Sequence, residues 1–107
     1  MNYSVIPSER FKREAKKLIK KYASLKKELF ELNALLEQNP ESGVYLGNNC
    51  YKIRIKIKSK GKGKSGGGRV ITYSVNENSE VYLLTIYDKS EFENIDVKML
   101  VKIIETL

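Results

Sequence analysis

The sequence predicts an α+β domain: a small, mostly antiparallel four-stranded sheet packed on an N-terminal helical hairpin, with one more helix at the C-terminus. Three observations carry this. Apolar residues recur at helical spacing in two adjoining N-terminal stretches and again at the end of the chain. Between those stretches lie runs rich in β-branched and aromatic residues, separated by clusters of Gly, Asn and Ser. A length of 107 residues suffices for one modest core, so residues 1–107 are read as a single domain.

Taken in order, residues 2–6 (NYSVI) suit a short strand that stops at Pro7. Ser8 then caps a helix whose Phe11, Ala15, Leu18, Ile19 and Tyr22 fall on one face. The opposite face is lysine and arginine, either a solvated surface or a supplementary contact to nucleic acid or an acidic partner. After Ala23 and Ser24 a second helical stripe runs through Leu25, Leu29, Leu32 and Leu36, widened by Phe30 and Leu35, and ends at Asn39 and Pro40. The short break implies a helical hairpin, across which Glu28, Glu31, Glu37 and Glu41 are placed to neutralise lysines of the first helix.

Residues 41–49 (ESGVYLGNN) read as a loop by their Gly and Asn content. The next stretch alternates strictly: Tyr51, Ile53, Ile55 and Ile57 against Lys52, Arg54, Lys56 and Lys58, a strand with one apolar and one cationic face. Its tip, residues 59–68 (SKGKGKSGGG), is rich in lysine and glycine. Residues 69–75 form the returning strand, 76–79 a tight turn, and 81–87 (VYLLTIY) a strand apolar enough to be covered on both faces. After the polar residues 88–94, Asp96 caps a last helix with Val97, Leu100, Val101, Ile104 and Leu107 on one face.

The formal net charge is +7, and it is unevenly spread. Residues 52–69 hold eight bases and no acid, residues 10–27 nine bases and one acid, and the remainder of the chain sums to −9. A polyanion is the implied partner of the first block. In a strand, Lys52, Arg54, Lys56 and Lys58 would stand in one row about 7 Å apart, a spacing that follows the phosphates of an extended single strand. Protecting a sheet edge needs only one or two charges, whereas here the charge continues through the loop. Arg69 shares its parity with Ile71, Tyr73 and Val75, so either it sits at the strand's start, where the loop frees its orientation, or those residues line a second, concave face beside it. Tyr73, Tyr82 and Tyr87 read as core or half-core residues rather than stacking platforms, with a single tyrosine still suited to acid/base work.

The chain has no histidine, which removes Ser-His-Asp and Cys-His nucleophile arrangements and histidine acid/base pairs. Proton transfer falls to Lys, Tyr, Asp or Glu. The lone Cys50 excludes an internal disulfide and a cysteine-rich zinc site and reads as a small buried hydrophobe. Residues 61–65 carry the Gly-Lys-Ser of a phosphate loop only in fragments, with β-rich sequence after them, so nucleotide binding of that kind is set aside. No metal or cofactor is expected. No apolar run approaches the roughly twenty residues of a membrane span, and the N-terminus lacks signal-peptide features, so the expected location is the cytoplasm.

The residues CYKI (50–53), RVITY (69–73) and VYLLTIYDKSE (81–91) resemble the RelE/ParE superfamily of bacterial toxins, and GKGKSGGGRVITY is similar to the GxGKRGGxRVIYY pattern of the RelE-like toxins called HigB. The resemblance implies a toxin of a type II toxin–antitoxin pair, held in check by a cognate antitoxin. RelE-like members enter the ribosomal A site and cut mRNA without a metal, the ribose 2′-OH attacking the adjacent phosphate with help from lysines and arginines. ParE-like members share the fold and poison DNA gyrase. Carried over by position, Lys52 and Arg54 take proton transfer and phosphate contact, and Arg69 takes stabilisation of the transition-state phosphate. Lys56, Lys58, Lys60, Lys62 and Lys64 would hold RNA or the ribosome. The family also places an arginine just after the last strand and a tyrosine in the C-terminal segment. Here Ser90 falls at the arginine's place with Lys89 as the substitute cation, and no tyrosine follows Tyr87. Besides a ribosome-dependent mRNA endoribonuclease, the sequence is compatible with a gyrase poison and with a non-catalytic RNA-binding module or degenerate toxin.

Overall fold

The computed structural model describes residues 2–60, 66–91 and 95–107. The elements follow one another as β1 (Ser4–Pro7), α1 (Glu9–Lys21), α2 (Leu25–Gln38), β2 (Val44–Gly47), β3 (Cys50–Ile55), a 3-10 turn (Lys58–Lys60), β4 (Gly68–Val75), a second 3-10 turn (Asn76–Asn78), β5 (Glu80–Asp88) and α3 (Val97–Glu105). The sheet is five-stranded, in the order β1-β5-β4-β3-β2. β1 runs parallel to β5 and the other neighbours are antiparallel.

The expected α+β class holds, with one strand more than the four anticipated, because residues 44–47 leave the predicted loop and pair with β3. Asn48 and Asn49 both have positive φ, 52° and 61°, and so make the two-residue hairpin turn whose twist matches the flanking strands. Gly43 is required upstream: its φ is +99°, and a Cβ there would stand 2.4 Å from the Lys52 carbonyl oxygen.

Ser8 caps α1 by accepting from the Phe11 N–H at 3.0 Å, while its hydroxyl donates to the Leu84 carbonyl at 2.9 Å. The Ser8 N–H also donates to the Leu83 carbonyl, so the cap fastens α1 to β5 as well as starting the helix. β1 pairs with β5 only as far as Leu83. Beyond that point Glu14 of α1 serves the open edge, accepting from the Ile86 N–H at 3.2 Å and the Thr85 hydroxyl at 2.6 Å.

One face of the sheet packs on the hairpin. Ile53, Ile55, Ile57, Val70, Val81, Leu83 and Ile86 meet Phe11, Ala15, Leu25, Leu32 and Leu36. Each side chain buried in this way contributes about 1.5–3 kcal/mol, which is what holds the isoleucine row of β3 in place. Phe30 and Leu35 do not join the stripe: they are 77% and 43% exposed. Phe30 lies five residues from Leu25, well round the helix from a row spaced by three and four. Nor do the acids of α2 pair with lysines of α1. Among the described residues no ion pair links the two helices. Glu28 instead accepts from the Ser24 hydroxyl and the Lys58 N–H, tying the 3-10 turn to the start of α2.

α3 lies on the other face, over Cys50, Ile71, Leu84 and Tyr87. Asp96 caps it, accepting from the Lys98 N–H at 2.9 Å. The helix is turned from the expected orientation: Leu100 and Ile103 are buried, Ile104 is half-buried, and Val97, Val101 and Leu107 are exposed. β4 and β5 are thus interior strands covered on both sides. No helix among the described residues is long and apolar enough to cross a membrane.

Candidate functional site

Register decides where the cations go. In the β3–β4 ladder Lys52 faces Ile71 and Arg54 faces Arg69, and in the β4–β5 ladder Arg69 faces Tyr87. Directly opposed residues project from the same face of a sheet. Lys52, Arg54 and Arg69 therefore share the face that carries α3: Arg69 stands at the start of β4 in line with Ile71 and Tyr73, and the register sets that row on the same face as the cations of β3 rather than on a second one. The row Arg54, Arg69 and Tyr87 crosses three strands at the sheet end nearest the glycine-rich segment.

Arg54 is exposed and Lys52 half-buried, whereas Arg69 is only 3% exposed. Its Nη1 donates to the Gly68 carbonyl at 3.0 Å. Burial lowers the affinity of the Arg69 guanidinium for its proton, and the charge of Arg54 lowers it further, with Tyr87 acting in the opposite sense. Two like charges are held in direct cross-strand register, an arrangement that costs stability unless an anion lies between them. Tyr87 is 5% exposed, and burial raises its pKa above the ordinary phenol value against a lowering by Arg69, so the phenol keeps its proton at neutral pH. The sequence treats Tyr87 as core; its place beside Arg69 appears only once β4 and β5 are in register.

β3 ends at Ile55, so the expected row of four cations is shorter than the alternation suggests. Lys56 follows the strand and Lys58 begins the 3-10 turn, both exposed. Lys60 turns inward, forming an ion pair with Asp88 and donating to the Gly66 carbonyl at 2.8 Å. Lys62 and Lys64 lie outside the described residues. Lys89 follows β5, with its N–H donating to the Gly67 carbonyl at 3.0 Å, which brings its backbone within two positions of Arg69.

Asp88 is fully buried. Its burial alone would raise the carboxyl pKa, but hydrogen bonds from Lys60, from the N–H and hydroxyl of Ser90 and from the Tyr22 hydroxyl outweigh that and hold it well below the usual carboxylate range. Burial pushes the Cys50 thiol up to about 11, which makes it a packing residue rather than a nucleophile. Among the described residues no group of three or more His, Cys, Asp or Glu is placed to hold a metal ion. A cavity of about 750 Å³ lies elsewhere, between the start of α1 and α3. The surface is open around Arg54, Lys56 and Lys58, which are exposed, and closed over Arg69.

Residues 5–91 match the family described as "ParE toxin of type II toxin-antitoxin system, parDE". The chain belongs to this family, within the RelE/ParE superfamily, and is a toxin of a type II toxin–antitoxin system, whose cognate partner is an antitoxin. Among solved structures it is similar to a doubly substituted Escherichia coli RelE toxin in the free state, at 22% identity over 87% of this chain and 90% of that one, with a TM-score of 0.64. It is also similar to the isolated E. coli RelE toxin, at 25% identity over 95% and 98% of the two chains, with a TM-score of 0.56. No curated protein matches the sequence. Neither comparison singles out the HigB branch.

Proposed function

We propose that this toxin is a metal-independent endoribonuclease that cuts mRNA in the ribosomal A site and so inhibits translation in the cytoplasm, with residues 1–107 acting as one domain. The observation that carries the assignment is the direct opposition of Arg54 and Arg69, one exposed and one buried, on adjacent strands. Two guanidinium groups so placed repel each other, and a phosphate beside them relieves that repulsion, most of all one gaining charge in a transition state. The likeness to RelE structures supports an RNA substrate.

In this reaction the ribose 2′-oxygen bonds to the adjacent phosphorus, the bond to the 5′-oxygen breaks, and the products are a 2′,3′-cyclic phosphate and a 5′-hydroxyl. Lys52 and Arg54 serve proton transfer and phosphate contact. Arg69, once uncovered, stabilises the transition-state phosphate, and Lys89 supplies a further cation at the end of β5. Lys56 and Lys58 continue the contact to RNA or ribosome, joined by Lys62 and Lys64; Lys60, drawn inward and neutralised by Asp88, is withdrawn from that contact. The antitoxin neutralises the toxin by laying a segment over the cationic row.

Mapping mRNA 5′ ends on ribosomes after induction tests the proposal. Cuts inside translated codons are expected, and Lys52→Ala and Arg69→Ala should abolish toxicity; full toxicity in both variants would remove these residues from the site. A second reading, poisoning of DNA gyrase, is favoured by the ParE family match. It predicts intact messages with stalled replication. A non-catalytic RNA-binding module would bind RNA with strong salt dependence and leave it whole on translating ribosomes.

A further inference from the structure

The base of the glycine-rich segment holds the most deeply buried charge of the described chain. Asp88, at the end of β5, collects a set of donors from widely separated places: Lys60 Nζ, the Ser90 N–H at 2.9 Å and the Ser90 hydroxyl at 2.8 Å on Oδ1, and the Tyr22 hydroxyl at 2.8 Å on Oδ2. Lys60 precedes residues 61–65 and Gly66 follows them; the same Nζ that pairs with Asp88 also donates to the Gly66 carbonyl. Gly68 is the ladder partner of Asp88, and the Gly67 carbonyl accepts from the Lys89 N–H. Gly67 is itself pressed against β3, where a Cβ would stand 2.1 Å from the Ile55 carbonyl oxygen.

Isolated burial of either charge would cost several kcal/mol, and a pair between buried ions is weak grounds for expecting added stability. A well-packed apolar pair would hold a fold at least as well. What the ions provide here is geometric definition: one ammonium bonds both to β5 and to the backbone that feeds β4. The Gly68 carbonyl, next in that backbone, accepts from Arg69 Nη1.

We propose that Lys60 and Asp88 form a clasp that fixes the backbone from Gly66 to Gly68 and thereby sets the Arg69 guanidinium beside Arg54. They are positioning residues, acting on a bound phosphate through Arg69 rather than touching it. The catalytic consequence rests on the cleavage proposed above; the structural consequence does not.

The experiment uses the full chain as Asp88→Asn and as the doubly neutral Lys60→Gln/Asp88→Asn. The second variant removes both buried charges together and keeps the protein folded if the single change does not. Amide hydrogen exchange is read first. At least about tenfold faster exchange is expected at Lys89, whose N–H bonds to Gly67, with unchanged exchange in the β1–β5 ladder, because local opening is separate from global unfolding. A shift of the Arg69 side-chain N–H signal should accompany it. Cleavage on ribosomes is read second, in a cycle with Arg69→Ala. Neutralising the clasp should lower kcat about tenfold or more with KM little changed when Arg69 is present, and have no further effect when it is absent.

Equal losses in the two backgrounds, or unchanged Lys89 exchange and Arg69 signal, would overturn the clasp. Should the unsubstituted protein not cut mRNA at all while the exchange and Arg69 signals respond as described, the cleavage proposal fails and the clasp stands.

Discussion

Replacing Arg54 by glutamine should make the protein more stable and less active at once. Arg54 lies directly across the β3–β4 ladder from the buried Arg69. Like charges so placed cost about 0.2–1 kcal/mol relative to a neutral pair. Arg54 is exposed, so water and salt screen its charge and the lower half of that range, about 0.2–0.5 kcal/mol, applies at physiological ionic strength. Glutamine keeps much of the side chain's aliphatic stem, so little packing is lost. For a domain of this size the gain corresponds to a rise in melting temperature of about 1–4 °C. Thermal unfolding followed by circular dichroism at low and at high salt is the assay. The rise should be larger at low salt and shrink as salt is added, since the effect is electrostatic. Cleavage of ribosome-bound mRNA by the same preparation should fall about 100-fold or more, by analogy with loss of one donor to a developing oxyanion. A variant that melts lower at every salt concentration would refute the repulsion, and one that cuts like the unsubstituted protein would refute the role of Arg54.

Asp88 should dominate a specific part of the acid limb of stability. Its folded-state pKa lies below the unfolded one, so it contributes stability that is fully present above the unfolded value of about 4 and is lost as pH falls toward the folded value. The difference in urea-unfolding free energy between the unsubstituted protein and Asp88→Asn should therefore narrow steadily from about pH 5 downward; a constant difference would contradict the carboxylate's role. Gly43→Ala should destabilise by more than about 1 kcal/mol, since it combines a positive φ with a clash on the Lys52 carbonyl, and the same denaturation assay reads it. Phe30→Gln should stay within about 0.5 kcal/mol of the unsubstituted protein, because that ring is 77% exposed; a larger loss would place Phe30 in the core after all.

Much of the fold is readable in the order of residues because its causes are local. Ser8 and Asp96 cap helices through hydrogen bonds that span three residues or fewer. The isoleucine row of β3 is buried on the hairpin because alternation alone fixes which side chains share a face. β2 was legible in principle: two asparagines that both take positive φ are the mark of a tight hairpin turn, but they stand in a stretch whose glycines read as loop. The rotation of α3 was not, since Leu100, Ile103 and Ile104 satisfy helical spacing as well as the set centred on Val97 and Val101, and only the sheet's surface chooses between them.

For the function, the sequence by itself determined the chemistry available: cations without histidine, a basic strand and loop, and a resemblance to a toxin family. Only the tertiary structure decided how those charges are placed. Strand register put Arg69 opposite Arg54 and Tyr87, and the same register carried Asp88 to Lys60, 28 residues away. Nothing in the residues near Lys60 distinguishes it from Lys56 and Lys58, which stay exposed. The difference arises from a buried carboxylate, which must find a counter-charge when water is excluded, and the lysine that the fold brings within reach is the one withdrawn from solvent.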